Sequence, residues 1–123
     1  MIQLRMPFPI SVNQAYAGFK RRFKSKAYKD YEKTSKAYYE ENYDHFDPID
    51  GELLVVYKFY SNWRNKNGTV KRKDVCNFEK TLSDELSNLI PWLEDENFWD
   101  VRMEKIQSDE EYVDITITKY NFS

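Results

Sequence analysis

Asp74–Pro91 reads DVCNFEKTLSDELSNLIP, and the frame of the whole 123-residue chain follows from it. Val75, Phe78, Leu82, Leu86 and Leu89 recur three or four residues apart, the spacing of one buried helix face. Asp74 is of the residue type that caps a helix N-terminus. Pro91 disfavours helix in the residue before it, so the helix stops near Ile90. On a helical wheel the apolar stripe centres near Leu82. Asn77, Lys80 and Asp84 fall on the opposite side, and Cys76 lies one turn before Lys80.

Outward from this helix the pattern alternates between periods. Ile2, Leu4 and Met6 alternate with Gln3 and Arg5, so residues 2–6 are expected as a half-buried strand ended by Pro7 and Pro9. ISVNQAYAGFKRRFK, residues 10–24, reads as an extended loop. Ser25 then caps a helix over about 26–41, with Ala27, Tyr28, Tyr31, Ser35, Tyr38 and Tyr39 at helical spacing. Residues 42–51 read as a loop, and ELLVVYKFY at 52–60 as a strand whose apolar run implies burial on both faces. Asn65, Asn67 and Gly68 mark a turn. Trp99, Val101 and Met103 alternate as a third strand. Val113, Ile115 and Ile117 alternate as a fourth, after the polar turn Ser108-Asp109-Glu110. The expected order is β-α-β-α-β-β: one α+β domain over residues 1–123, with a small mixed four-stranded sheet covered by two helices.

Composition narrows the function. Apolar residues make up 41% of the chain, enough for a packed core. Cys76 is the only cysteine, which excludes an intrachain disulfide and a cysteine-based zinc site. His45 is the only histidine, which excludes a multi-histidine metal site within one chain. No apolar run approaches the ~20 residues needed to cross a membrane, and MIQLRMPFPI lacks the features of a signal peptide. A cytoplasmic protein with no membrane partner is therefore expected. The net charge of -2 hides strong blocks. Residues 1–36 carry +7, 37–55 carry -6, 56–80 carry +5 and 81–123 carry -8. Such blocks suit a bipolar surface with a basic face for phosphates, and they equally suit an ordinary mixed solvated surface.

The polar residues around the central helix admit two readings. Asp74, Lys80 and the run Glu94-Asp95-Glu96 are carboxylates with one lysine and no histidine, a set suited to metal-dependent phosphodiester cleavage. Hard Mg²⁺ takes oxygen ligands, and a lysine can hold a phosphate in its transition state. Alternatively Asp74 is only an N-cap, Lys80 and Asp84 only an i,i+4 surface pair, and Glu94–Glu96 only a solvated turn.

The longer motifs bear on that choice. KRKDVCNFEKTLSDEL resembles the basic-D-x-D-N-x-x-K-x-x-x-D-x-L motif of RusA-type Holliday junction resolvases. PWLEDENFWDVRMEK resembles their second motif, and PFPISVNQAY their N-terminal P-P-S-x-N motif. The resemblance implies a phage- or prophage-type homodimeric endonuclease that binds four-way DNA junctions and cuts them symmetrically with Mg²⁺, for which Mn²⁺ can substitute. Its alternative is a non-catalytic branched-DNA-binding dimer of the same fold. Carried over by motif position, Asp74, Lys80 and Asp95 are the expected catalytic residues, with Glu94 beside Asp95. Asn77 and Asp84 match the motif Asn and its later Asp.

One position departs from the motif: Cys76 stands where the second Asp is expected. A thiol is a poor Mg²⁺ ligand. Glu79, one turn on, is a candidate replacement, although the wheel turns it toward the apolar stripe. Alternatively Asp74, Asp95 and Glu94 or Glu96 suffice, or the protein binds without cutting. The candidate phosphate contacts are Arg21, Arg22, Lys24, Lys71, Arg72 and Lys73. Asn13 and Ser11 are candidates for bracing the DNA backbone or forming a turn, and Phe19 and Phe23 for stacking on unpaired bases.

Overall fold

The structure, a computed structural model, describes residues 1–17 and 23–121. Strand β1 (Ile2–Pro7) leads into a short helix α1 (Val12–Ala15) and a two-stranded ribbon of β2 (Tyr16–Ala17) and β3 (Phe23–Lys24). Helix α2 (Lys26–Asn42), strand β4 (Leu53–Ser61) and helix α3 (Cys76–Leu89) follow. A 3-10 turn (Asp95–Asn97) opens onto β5 (Phe98–Gln107), and β6 (Tyr112–Lys119) ends the domain. The large sheet runs β1-β6-β4-β5. β6 is antiparallel to β1 and β4, whereas β5 joins β4 in parallel, so the sheet is mixed.

Local sequence explains most of these elements. Ser25 caps α2, its hydroxyl accepting from the Tyr28 amide at 3.1 Å. Tyr28, Tyr31 and Tyr39 are the buried side of that helix. In α3, Phe78, Leu82 and Leu86 pack onto Val55, Tyr57 and Phe59 of β4 and Val113, Ile115 and Ile117 of β6. Asp74 is not the cap of α3 that its residue type suggests: Val75 holds that position without a side-chain cap bond, and the Asp74 carboxylate accepts the Cys76 amide at 3.0 Å from one residue further out.

Three further expectations are corrected. Residues 10–24 are not simply an extended loop: Ser11 caps α1 by accepting from the Gln14 amide at 3.3 Å. The described residues thus hold three α-helices and a second small sheet. A four-residue helix is too short to leave a periodic signal. β4 is not buried on both faces. Leu53, Val55, Tyr57 and Phe59 are buried, but Leu54, Val56 and Tyr60 are only half-buried and Lys58 is exposed. The helices cover one face, and the other is shielded by its own side chains. There Arg5 bonds Asp114 at 2.7 Å and lies 3.9 Å from the Tyr112 ring centroid, and Tyr112 stacks on Tyr60 at 4.5 Å. Trp99 does not share a face with Val101 and Met103. A bulge between Leu53 and Leu54 pairs these with Phe98 and Asp100, and Trp99 is left 56% exposed.

Candidate active site

β1 and β4 end, and β6 begins, beside a cleft of about 570 Å³. Its walls are the Phe8–Ser11 turn, Asn13 and Gln14 of α1, the segment from Arg72 to Asp74, Asn77 and Phe78 of α3, and Glu111. Thr81 ties the two sides, its hydroxyl donating to the Ile10 carbonyl at 2.6 Å. An adjoining cleft shares Arg72, Lys73, Asp74 and Asn77 and adds Lys71 and Lys105. Asp74, Asn77 and Asn13 therefore meet here, with Lys71, Arg72, Lys73 and Lys105 around them.

Lys73 sits differently from its basic neighbours. Its Nζ lies 4.9 Å from the Phe8 ring centroid, 5.0 Å from Trp63 and 5.6 Å from Phe78. It donates to Ser61 Oγ at 3.0 Å and pairs with Glu111 at 3.3 Å. Ser61 in turn donates to Glu111 at 2.6 Å. That hydroxyl, together with the Lys73 charge, holds the Glu111 carboxyl below its ordinary range.

Asp95 is elsewhere. It lines a second cleft of about 290 Å³ with Tyr16, Lys24, Tyr28, Asp84, Ser87 and Asn88, none of which lines the first. Asn77, Lys80, Asp84 and Asn88 are three or four residues apart on α3, so one polar face joins the two clefts across about 16 Å of helix. Lys80 is exposed there, with its Nζ 3.7 Å from Asp84. Lys24 pairs with Glu32 at 3.0 Å. Glu94 and Glu96 hydrogen-bond each other, which together with the charges of Glu94 and Asp95 raises the Glu96 carboxyl.

Glu79 faces the sheet. It accepts from Ser83 at 2.7 Å, and Ser83 lies 2.8 Å from the buried Tyr57 hydroxyl. Ser83 has one proton and gives it to Glu79, so Tyr57 donates to Ser83. Phe23 is exposed. Arg21, Arg22 and Phe19 lie outside the described residues.

The donors around Asp74 are oxygens, the ligands a hard cation takes. Among the described residues, however, no three His, Cys, Asp or Glu side chains are gathered to hold a metal ion. Asp74 and Glu111 share the first cleft, and Glu111 is already occupied by Lys73 and Ser61. A single chain fits Mg²⁺ in donor chemistry and falls short in ligand number, unless waters and a substrate phosphate complete the shell.

Sequence reasoning missed Glu111 and Lys105. Lys105 had a signal, since two more residues of alternation past Met103 put it on the helix side of β5. Its register partner there is Phe59 and its Nζ lies 5.0 Å from the Trp63 ring centroid. Glu111 had none, because its relation to Asp74 arises only when β6 meets the end of β4.

The cleft gathers two carboxylates, three side-chain amides and the bases Arg72 and Lys73 on a mixed sheet backed by helices, and its cationic and amide N–H donors are of the kind that suits a phosphate backbone. The family Endodeoxyribonuclease RusA matches residues 7–118, and the chain belongs to that family of DNA-cleaving enzymes. The resemblance carried by the three motifs therefore holds over nearly the whole chain. No curated protein matches the sequence. No helix among the described residues is long and apolar enough to cross a membrane.

Proposed function

We propose that this protein is a Mg²⁺-dependent homodimeric endonuclease that binds four-way DNA junctions and cuts them symmetrically, in the bacterial cytoplasm and in a phage or prophage context of recombination or repair. The observation that carries the reading is the cleft where Asp74 and Asn77 lie among Lys71, Arg72 and Lys105. In this reading Asp74 of one protomer and Asp95 of the partner subunit hold the metal, with Glu94 of the partner subunit beside it. The separate clefts of Asp74 and Asp95 within one chain support that division. A two-fold dimer also suits paired cuts in a two-fold junction. A bound Mg²⁺ supplies activation of a water and neutralisation of charge on the phosphate. Lys80 leaves Asp84 to hold a phosphate oxygen as the bond breaks. Lys71, Arg72, Lys24, Arg21 and Arg22 neutralise flanking phosphates, and the amides of Asn13 and Asn77 donate to them.

The test is a synthetic four-way junction incubated with Mg²⁺ or with EDTA. Paired nicks at symmetry-related positions, only with metal, are expected. Tight binding without nicks would favour the non-catalytic dimer, a reading supported by Cys76 and by the missing three-ligand cluster among the described residues. No binding would remove both readings.

Glu79 is committed to Ser83 and, through it, to Tyr57, which argues for a structural role. Glu79→Gln is therefore expected to cut junctions at the wild-type rate while losing some thermal stability. Cys76→Asp adds a carboxylate one turn before Lys80 and is expected to lower the Mg²⁺ concentration that gives half-maximal cleavage. A loss of cleavage in Glu79→Gln that Cys76→Asp restores would instead make Glu79 the substitute ligand.

A further inference from the structure

We propose that Lys73 is a positioning residue, a strut that holds the Asp74 carboxylate at the cleft, and is not one of the phosphate contacts. The inference rests on the reading of Asp74 as part of the active site. Its basis is the surroundings of the Lys73 ammonium. Three aromatic rings lie within 5.6 Å of it, and each comes from a different part of the chain. Phe8 follows β1, Trp63 follows β4, and Phe78 is in the first turn of α3. Ser61 and Glu111 take its hydrogen bonds from the ends of β4 and β6. A cation over ring faces and against a carboxylate is attracted from each of these directions. Reaching out to a phosphate would forfeit all of them and leave Glu111 with the Ser61 hydroxyl but no cation, a second uncompensated negative charge in the cleft of Asp74 that repels the DNA.

The neighbouring bases have no such arrangement. Lys71 and Arg72 line the basic cleft, where neither forms an ion pair with a described residue, and Lys105 closes the same cleft from β5. The bonds and ring contacts of Lys73 therefore fasten the residue immediately before Asp74 to the end of the sheet. Asp74 in turn accepts the Cys76 amide at 3.0 Å, so the start of α3 is fastened with it. Among four consecutive residues, two bases face the groove, the third is built into the frame, and the fourth is the acid that the frame presents.

The experiment compares Lys73→Met, Lys73→Arg, Glu111→Gln and Arg72→Gln in three measurements. The first is the slope of log affinity against log salt for a four-way junction. Arg72→Gln should lower the slope by about 0.9 for each phosphate it no longer neutralises, and Lys73→Met should leave it unchanged. The second is single-turnover cleavage at saturating protein. It should fall between about 10- and 100-fold in Lys73→Met, the scale of a misplaced catalytic group, fall in Glu111→Gln, and recover in Lys73→Arg. The third needs no DNA: hydrogen exchange at the Cys76 amide should quicken by about tenfold in Lys73→Met as its bond to Asp74 loosens. A slope that drops in Lys73→Met as it does in Arg72→Gln would overturn the proposal, and so would unchanged cleavage or unchanged Cys76 exchange. A wild-type protein that neither binds nor cuts junctions would overturn the proposed function instead, and the Cys76 measurement would still decide whether Lys73 is the strut.

Discussion

Asp74→Asn and Asp95→Asn proteins, each inactive alone, are expected to recover junction nicking when mixed. In the proposed site both carboxylates are required, so each substitution should lose about 100-fold or more in single-turnover rate, the scale for deleting one electrostatic partner of a transition state. Junction binding should persist or tighten, because a negative charge near the phosphates has gone. The recovery on mixing follows from the two clefts. If Asp74 works with Asp95 of the partner subunit, a mixed dimer has one site with both carboxylates replaced and one site with both intact. That dimer should nick one strand and fail to make the paired cut. If both carboxylates act within one chain, every site in the mixed dimer carries a defect and nicking stays absent. Subunit exchange after brief mild denaturation, with a mass label on one variant, would confirm that mixed dimers had formed before the nicks are counted.

The second expected result concerns Glu85, which is only 3% exposed, on α3. Among the described residues its Oε2 has no hydrogen-bond partner. Burial, and then the nearby Glu32 charge, push its carboxyl up to about 7, against the opposing pull of Lys24. The folded protein therefore holds this proton at pH values where the unfolded chain, with an ordinary carboxyl near 4.5, has released it. Stability must then fall as pH rises from about 4.5 to about 7, and remain lowered above that. At about 1.4 kcal/mol per pKa unit the loss is up to roughly 3 to 4 kcal/mol. Glu85→Gln keeps the shape and cannot ionise, so it should be more stable than wild type at pH 8 and equal to it near pH 4.5. Urea unfolding of both proteins across that range reads the difference directly. A pH-independent difference would show that the Glu85 carboxylate is solvated in the folded protein.

Glu85 also illustrates what was legible in the residues alone. It sits one position before Leu86, within a stripe whose period announces a buried helix face, yet nothing local says that α2 will cover it. Its surroundings depend on α2, whose Glu32, Lys36 and Tyr39 line one cleft with it, arriving from about fifty residues away. The same distinction separates Lys80 from Lys73. The wheel correctly leaves Lys80 on the exposed side of α3, beside Asp84. Lys73 reads as one more base in a basic run, because the three rings and the carboxylate that surround it come from four other segments.

What the amino-acid sequence determined by itself was everything governed by short periods and adjacent caps. The stripe from Phe78 to Leu86, the Ser25 cap and the alternation of β1 and β6 all appear in the structure because helix and strand geometry repeats within a few residues. Three motifs in order also carried the family. Tertiary structure alone decided which face of β4 stays open, that a bulge turns Trp99 outward, and that β4 lies between the consecutive strands β5 and β6. It alone brought Glu111 and Lys105 to Asp74 and kept Asp95 apart from it. These are long-range outcomes of sheet register and helix docking, and no local pattern encodes a register between strands fifty residues apart.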